Sequence, residues 1–365
     1  MGKQTEKRKT EHINICLDEK AQARKATTGF EDVQFVHKAL PEVNKAKIDL
    51  STTVFGHKFS APVIVGAMTG GTAEATRINA SIAEAVETLQ LGMGVGSQRA
   101  AIENPKLAET FSVARKKAPN AFLIANIGGI QLVRGCGVKE VKQAIEMIDA
   151  DAVAVHLNAL HEAVQPEGQT TFKGVLDKIC EITGEIDTPV IVKETGAGIS
   201  AEDAKKLEEA GVKAIDVGGA GGTSFAAVEY YRSEPSSVPH FLGDVFWDWG
   251  IPTAATLVET TQTVKVPVVA SGGVRSGVDV AKSLALNACL ASVCQPALEA
   301  AVKGAEATEK MLSLLIDELK AVMFLVGAAK VQDLSKAPVV VTGKTAQWLN
   351  TRGFSVEGYA RRGAR

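Results

Sequence analysis

Two glycine-rich turns have the composition of an anion-binding site. The turns are Gly218–Thr223, with the sequence GGAGGT, and Ser271–Gly277, with the sequence SGGVRSG, and each follows a short apolar run. Glycine lets backbone N–H groups approach an anion closely, while serine, threonine and Arg275 add further donors. An ordinary tight loop would explain either turn alone. The occurrence of both, close together in the chain, predicts a site for a phosphorylated cofactor.

A short polar stretch is expected to face the same site. Strand alternation places His156 and Asn158 on one face of an apolar run, and His161 and Glu162 follow directly. A lone histidine is usually structural, but this grouping favours a functional role. Glu162 is a single carboxylate and cannot build a zinc site by itself. It could hold Mg²⁺ if the substrate supplied a diphosphate, and would otherwise be an ordinary surface glutamate.

Lys193 is expected to point inward at the end of another apolar run. An inward lysine is costly unless an anionic partner is present. It could bind the electron-rich edge of a flavin, bind phosphate or form a Schiff base. An ion pair with a neighbouring carboxylate would be a purely structural alternative. The basic cluster at Arg8 and Lys9 is expected to be a solvated tail unless it folds over the site.

The elements that position these residues follow from a repeating pattern. Eight short apolar runs recur, and most of the intervals between them have helical periodicity. The runs are Ala61–Met68, Leu91–Gly96, Phe122–Ile127, Ala152–Asn158, Pro189–Thr195, Ala214–Gly219, Val266–Gly273 and Cys289–Pro296. Eight alternating strand and helix units predict an α/β fold, a closed (β/α)₈ TIM barrel with its site at the carboxyl ends of the strands.

Four local patterns mark helix ends between these runs. Thr72 is expected to begin a helix, and Ser200 with Asp203 is expected to form a capping box. Gly211 is expected to end that second helix, and Pro252 to be the first residue of another.

The chain is expected to have three parts: an N-terminal extension (1–60), the barrel (61–300) and a C-terminal helical extension packed on it (301–365). In the last part, one apolar stripe is formed by Met311, Leu315, Leu319, Val322 and Val326.

Composition narrows the class of protein. The chain has 365 residues and a formal charge of −2, which argues against nucleic acid or a membrane surface as a partner. Its five cysteines are scattered without a CxxC motif, which favours reduced thiols and a cytoplasmic location. The charged N-terminus lacks the apolar run of a signal peptide, and no segment is expected to span a membrane.

These motifs together resemble one family, the type 2, FMN-dependent isopentenyl diphosphate isomerases, from Arg8 to about Gly353. The matching segments are RKTEHI (8–13), SAPVIVGAMTGG (60–71), MGVGSQRAAIE (93–103), ANIGGIQL (125–132), HLN with Glu162 (156–162), IVKETGAGIS (191–200), DVGGAGGTS (216–224), DWGIPTAA (248–255) and SGGVRSG (271–277). The resemblance implies a (β/α)₈ barrel with FMN at its mouth, a Mg²⁺ ion, and NADPH as the reductant that keeps the flavin reduced.

The resemblance also implies roles for individual residues. FMN contacts would fall on Met68, Thr69, Gly70, Ser97, Asn126, Lys193, Thr223, Gly273, Val274 and Arg275, with backbone near Cys294 and Gln295. Contacts with the substrate diphosphate would fall on Arg8, Lys9, Ser97, Gln98, Arg99, His156 and Asn158, and Glu162 would hold Mg²⁺. His156, His161 and Lys193 are the expected catalytic residues.

The chain departs from the family pattern at two places. His161 stands where the family has a glutamine that contacts the alkene end of the substrate, and a histidine can exchange protons near neutral pH. Near the eighth strand, Asn287-Ala288-Cys289 replaces the usual Gly-Ala-Asp, and Cys294-Gln295 replaces a small and a basic residue. The second departure would weaken the hold on the FMN phosphate.

The implied reaction interconverts isopentenyl and dimethylallyl diphosphate by adding one proton and removing another. The family forms tetramers and octamers, so a homotetramer or homooctamer is expected. One alternative is a related FMN barrel that oxidises hydroxy acids or inosinate, but the loop after the sixth run, GGAGGTSF, lacks the cysteine or the histidine–arginine pair that those enzymes need. A second alternative is a flavin-binding barrel without isomerase activity.

Overall fold

The barrel strands form where the sequence is apolar and rich in valine and isoleucine. The computed structural model describes residues 2–18 and 21–363, with side chains from residue 8. Before the barrel come β1 (Val33–Phe35), β2 (Thr52–Val54) and β3 (His57–Phe59). The barrel strands are β4 (Val63–Val65), β5 (Gly92–Gly94), β6 (Phe122–Gly128), β7 (Ala152–His156), β8 (Val190–Lys193), β9 (Ala214–Asp216), β10 (Val268–Ala270) and β11 (Leu290–Val293).

These eight strands close into a parallel barrel, which confirms the expected fold. The order around the barrel is β10-β11-β4-β5-β6-β7-β8-β9, and each expected apolar run contains one strand. Both faces of each strand are covered, one by the helices and one by the barrel interior, so the strands are mainly apolar. The antiparallel hairpin β2–β3 contributes Val54 and Phe59 to the interior cluster with Ile64 and Phe122. It therefore seals the end of the barrel opposite the expected site.

Helices surround the barrel. They are α1 (Gly2–Leu17), α2 (Ala73–Thr88), α3 (Arg99–Glu103), α4 (Glu109–Lys117), α5 (Gly129–Leu132), α6 (Val138–Ile148), α7 (Ala159–Val164), α8 (Val175–Glu185), α9 (Ala201–Glu209), α10 (Phe225–Arg232), α11 (Val238–Val245), α12 (Thr253–Thr263), α13 (Gly277–Ala285) and α14 (Gln295–Lys303). None of the described helices is long and apolar enough to cross a bilayer.

The expected helix ends are largely as the local sequence dictates. The Thr72 hydroxyl accepts from the N–H of Ala75, and the Ser200 hydroxyl accepts from the N–H of Asp203. The Asp203 side chain does not accept from the N–H of Ser200, so the expected capping box is only half formed. Gly211 follows α9 with a φ of 87°, a backbone conformation that glycine adopts without strain. Pro252 is the residue before α12 rather than its first residue, which corrects the expectation by one position.

The two extensions meet on the outside of the barrel. After α14 come α15 (Ala305–Val326), β12 (Val339–Val341), α16 (Gly343–Thr351) and α17 (Glu357–Ala360). Strand β12 pairs antiparallel with β1, and α15 packs on α2, α13 and α14. The buried face of α15 includes Leu312 and Met323 in place of Met311 and Val322, which are only partly buried, because the helix is rotated slightly from the expected orientation.

Candidate active site

A cavity of about 290 Å³ opens at the carboxyl ends of the barrel strands. At least one residue on or just after each barrel strand lines this cavity. They include Thr69 after β4, Ser97 after β5, Asn126 on β6, His156 on β7, Lys193 on β8, Asp216 on β9, Ser271 after β10 and Cys294 after β11. The closure of the barrel thus brings most of the predicted site residues together, since parallel strands all end at the same rim.

The two glycine-rich turns touch each other at one side of this cavity. A Cβ atom placed on Gly222 would lie 2.6 Å from the backbone nitrogen of Gly273, so no side chain fits between the turns. The Ser271 hydroxyl accepts from the N–H of Gly218 at 2.9 Å and donates to the carboxylate of Asp216. The predicted contacts Thr223, Gly273, Val274 and Arg275 all line the cavity here.

A third source of backbone donors lies beside these turns. Helix α14 begins at Gln295, with Cys294 as its preceding residue, and both residues line the cavity. The first N–H groups of a helix have no partner within the helix and favour an anion. Arg275 is exposed, and its guanidinium donates to the Gln22 side chain at 2.8 Å. Together the turns and the helix end form a surface that suits a phosphate group.

Lys193 extends from β8 into the cavity, as predicted. Its Nζ donates to the carbonyl oxygen of Glu194 at 2.6 Å, which leaves two of its three donor hydrogens for a ligand. The register of β8 and β9 places it beside Asp216, whose pKa is raised by burial. The alternative for Lys193 was a structural ion pair with a neighbouring carboxylate. Among the described residues Lys193 forms no such ion pair.

His156 is held in one orientation by Asn126. The side-chain oxygen of Asn126 lies 2.8 Å from His156 Nδ1, and its amide nitrogen donates to Val95 O at 3.1 Å. Burial, together with the charge of Lys193, lowers the pKa of His156 to about 3. His156 is therefore neutral at pH 7, and Asn126 serves to position it.

Two expected contact residues lie outside the cavity. The Gln98 side chain is fully buried and turned away, because its amide nitrogen donates to Ala144 O at 2.8 Å and its oxygen accepts from the N–H of Asn126 at 2.9 Å. Gln98 thus supports Asn126 and does not suit a direct contact with substrate. Gly70 is packed against the ring of Phe111, where a Cβ atom would overlap it. Its neighbours Met68 and Thr69 do line the cavity.

The N-terminal helix α1 lies across the mouth of the barrel. Lys9 Nζ donates to Ser97 O at 3.3 Å and lies 5.2 Å from the centre of the Phe111 ring. Burial, and secondarily repulsion from Arg8, lowers the pKa of Lys9 to about 7. Arg8 lines the cavity and pairs with Glu167 at 3.5 Å. The basic cluster at Arg8 and Lys9 therefore folds over the cavity and is not a solvated tail. Arg99, also at the cavity, pairs with Glu103 on its own helix.

Glu162 is buried beside an unsatisfied oxygen. Its carboxylate accepts from Asn158 Nδ2 and Gln165 Nε2, each at 3.0 Å, and from the N–H of Gln169 at 2.7 Å. Asn158 Oδ1 is buried and has no hydrogen-bond partner within the described part of the chain. Mg²⁺ prefers oxygen ligands, and the Glu162 carboxylate and the unpartnered Asn158 Oδ1 are both oxygen donors. The residues present therefore fit a magnesium ion.

His161 belongs to a cluster that was not foreseen. Its Nε2 lies 2.8 Å from Glu229 Oε1, and His12 Nε2 from helix α1 lies 2.9 Å from the same oxygen. Glu229 is completely buried and its other oxygen accepts from Arg232 Nε at 2.7 Å. Hydrogen bonds from the histidines hold the pKa of Glu229 well below its usual range, although burial opposes ionisation.

The chain is similar in sequence to one family model and to a set of curated proteins that share one name. The family model for FMN-dependent dehydrogenases matches residues 1–122 and 137–341. Among curated proteins, the chain is 50% identical to isopentenyl-diphosphate delta-isomerase of Methanosarcina barkeri, over 98% of this chain and 97% of that protein. The protein of the same name from Archaeoglobus fulgidus is also 50% identical, over 96% of this chain and 99% of that one.

The chain belongs to the isopentenyl-diphosphate delta-isomerase family. Solved structures with the same fold include a flavocytochrome b2 variant, with a TM-score of 0.65, 19% identity and coverage of 94% of this chain and 85% of that one. A mandelate oxidase variant that carries an FMN adduct has a TM-score of 0.60 and 19% identity, and covers 87% of this chain and 90% of that one. At this identity they show the fold alone.

The second departure from the expected family pattern involves residues at both ends of β11. Asn287, Ala288 and Cys289 come before β11, at the sealed end of the barrel, and Asn287 has a φ of 72°, which asparagine tolerates better than most residues. Cys294 and Gln295 come after it, at the cavity. Of these residues, only Cys294 and Gln295 are placed to affect a cofactor phosphate.

Sequence reasoning missed four residues at or behind the cavity. They are His12, Gln22, Asp216 and Glu229. Glu229 could have been noticed, because it is a carboxylate that directly follows Ala226, Ala227 and Val228 on the buried side of α10. His12 was included as part of the matching segment RKTEHI (8–13) and was given no role of its own. The approach of Gln22 to Thr223, at 3.4 Å, has no local sequence pattern that would reveal it.

Proposed function

We propose that this chain is an FMN- and Mg²⁺-dependent isomerase that interconverts isopentenyl diphosphate and dimethylallyl diphosphate in isoprenoid biosynthesis. The observation that carries the proposal is the presence of two separate anion-binding regions in one cavity. The glycine-rich turns form one, and Arg8, Lys9 and Arg99 form the other. Membership in the isopentenyl-diphosphate delta-isomerase family supports the same assignment.

The first region is assigned to FMN. The glycine-rich turns and the start of α14 would hold its phosphate, while Thr69, Ser97 and Asn126 would border the ring. Lys193 would neutralise the ring edge with its two remaining donors. When bound, reduced FMN supplies an electron-rich ring that can exchange a proton with an alkene and stabilise positive charge. NADPH would serve only to keep it reduced.

The second region is assigned to the diphosphate of the substrate. Lys9 and Arg8 approach from α1, and Arg99 from the start of α3, so the diphosphate would be held from two sides. His156 and Asn158 would contact it from β7. Glu162, with the Asn158 amide oxygen, would hold a Mg²⁺ ion against the diphosphate. The helix α1 would exclude water from the cavity once substrate is bound.

The reaction adds a proton to the terminal alkene carbon and removes one from C2, so no net oxidation occurs. His161 lines the cavity, and its Nε2 is bound to the buried carboxylate of Glu229. The bond to Glu229 fixes the orientation of this imidazole and can stabilise the charge that develops on it as it exchanges a proton with substrate. We therefore assign His161 to the proton route.

The role of His161 can be tested with the variant His161→Gln, which restores the family residue. The pH–rate profile of the parent should contain one ionisation that the variant lacks. If the two profiles superimpose, His161 acts as a spacer.

Assembly into a homotetramer or homooctamer in the cytoplasm is a further part of the proposal. The side chains of Val238, Phe241, Val245 and Trp249, on and just after α11, are exposed on one chain. Burial of such a group between copies would be favourable. Size-exclusion chromatography with light scattering measures the assembly directly.

The activity itself is tested by incubating the flavin-loaded protein with isopentenyl diphosphate, Mg²⁺ and a reductant, and following dimethylallyl diphosphate by NMR. Formation of the allylic product without consumption of reductant beyond flavin reduction is expected. Oxidation of a hydroxy acid in place of isomerisation would assign the chain to the oxidoreductases of the same fold.

A further inference from the structure

Three metal-binding atoms from three different helices converge at the edge of the cavity. His12 Nε2 on α1 and His161 Nε2 on α7 lie 2.9 Å and 2.8 Å from Glu229 Oε1 on α10. All three atoms lie within 4.8 Å of one another. Both histidines line the cavity, while Glu229 is completely buried behind them. The cluster therefore has a closed side formed by protein and an open side that faces the substrate region.

We propose that His12, His161 and Glu229 form a binding site for a transition-metal dication such as Zn²⁺, separate from the Mg²⁺ site at Glu162. Two imidazole nitrogens and one carboxylate oxygen are a donor set that suits Zn²⁺, Co²⁺ or Ni²⁺. Mg²⁺ prefers oxygen ligands and would not compete well here. Three protein ligands would leave a fourth position open toward the cavity.

The distances allow a metal ion with a small outward movement of the side chains. Ligand atoms about 2.0–2.1 Å from a tetrahedral Zn²⁺ are about 3.3 Å from one another. As each neutral imidazole moves its proton from Nε2 to Nδ1 and its Nε2 binds the metal, the present nitrogen–oxygen separations would lengthen by about 0.5 Å. Rotation about the side-chain torsions of His12 and His161 can supply that change.

The protonation states suit metal binding. Burial lowers the pKa of His12 to about 4, so that its imidazole is neutral at pH 7. Glu229 is ionised at the same pH. A neutral His12 and an ionised Glu229 could bind a dication without releasing a proton to solvent.

The surroundings hold the carboxylate in position. Arg232 Nε donates to Glu229 Oε2 at 2.7 Å, which leaves Oε1 for the metal. The positive charge of Arg232 is offset by Glu167, which accepts from its Nη2 at 2.6 Å. The Phe225 ring lies with its centre 4.7 Å from that of His161 and limits the rotation of that imidazole. Such outer contacts orient metal ligands in proteins.

The site depends on the departure at position 161. A glutamine there, as in the family pattern, would replace an imidazole nitrogen by a weakly binding amide. A metal held by His12 would also fasten α1, with Arg8 and Lys9, to the barrel, and would occupy the nitrogen that we assign to proton transfer. Zn²⁺ is therefore expected to inhibit the proposed isomerase.

The test is equilibrium dialysis of the flavin-loaded full-length chain against Zn²⁺ in the presence of excess Mg²⁺, with the bound metal measured by elemental analysis. The parent should retain one Zn²⁺ per chain, and His161→Gln and His12→Gln should each bind it at least about tenfold more weakly. His37→Gln removes an exposed histidine outside the cluster and should bind as the parent does. Flavin content and thermal melting verify that each variant is folded.

Equal Zn²⁺ affinity in the parent and in His161→Gln would overturn the proposal, as would the absence of tight binding in the parent. Sulfur ligands in the X-ray absorption spectrum of the bound zinc would also overturn it, because they would assign the metal to Cys16 or another thiol. The dialysis requires no substrate, so its outcome is independent of whether the chain is an isomerase.

Discussion

Lys9 provides a pH-dependent test of the diphosphate region. Burial of its side chain at the cavity and the neighbouring charge of Arg8 lower the pKa of Lys9 to about 7, so it loses its charge as the pH rises through neutrality. If the cation is required for binding, kcat/KM should fall in proportion to the protonated fraction. That fraction is about 0.9 at pH 6 and about 0.03 at pH 8.5, a decrease of about 30-fold.

The matched control is Lys9→Arg, whose guanidinium stays charged over this range. His156, with its pKa lowered to about 3 by burial and by Lys193, remains neutral throughout and does not contribute. Ionisation of the diphosphate affects both enzymes equally, so the ratio of their kcat/KM values isolates Lys9. The assay is formation of dimethylallyl diphosphate at constant ionic strength from pH 6 to 8.5. A ratio that does not change with pH would refute the reasoning.

Three further predictions concern other parts of the structure. Lys193→Ala should lower the FMN content of the purified protein, and an unchanged flavin-to-protein ratio would remove Lys193 from the cofactor site. Glu162→Gln should raise the Mg²⁺ concentration needed for half-maximal rate by about tenfold, and an identical Mg²⁺ titration would contradict the assignment. Arg352→Ala should lower the unfolding free energy by about 2 kcal/mol, because it leaves the buried carboxylate of Glu259 with fewer partners. The same change at Arg361, whose ion pair is exposed, should cost less than about 0.5 kcal/mol in the same denaturant titration.

The barrel could be predicted from sequence because its pattern is local. Each strand is a short apolar run buried on both faces, and hydroxyl-bearing residues such as Thr72 and Ser200 mark where helices begin. Because parallel strands end at one rim, the polar residues that follow them could be grouped into one site before any distance was known. His156, Lys193 and the glycine-rich turns were located in this way.

Contacts between distant segments could not be predicted in the same way. Helix α1 has few apolar residues, and its place over the cavity rests on contacts such as Lys9 with Ser97 and His12 with Glu229. The orientation of the Gln98 side chain could not be predicted either, because residues in a turn do not alternate between two faces as strand residues do. It points toward Ala144, whereas Arg99 beside it reaches the cavity.

The position of Glu229 explains why the exchange of glutamine for histidine at 161 can be accommodated. The buried carboxylate offers the imidazole a hydrogen-bond acceptor and a negative charge, so His161 does not lie unsatisfied at the cavity wall. Glu229 also links His161 at the cavity to His12 on α1. The environment of His161 is thus set by Glu229 and His12, two residues that are remote from it in the chain.

The central claim is most directly tested by NMR of isopentenyl diphosphate incubated in ²H₂O with the flavin-loaded protein, Mg²⁺ and reductant. The account predicts deuterium in the substrate and the appearance of dimethylallyl diphosphate, with both lost when the flavin is kept oxidised. Unchanged isopentenyl diphosphate, with reduced flavin and Mg²⁺ both bound to the protein, would contradict it.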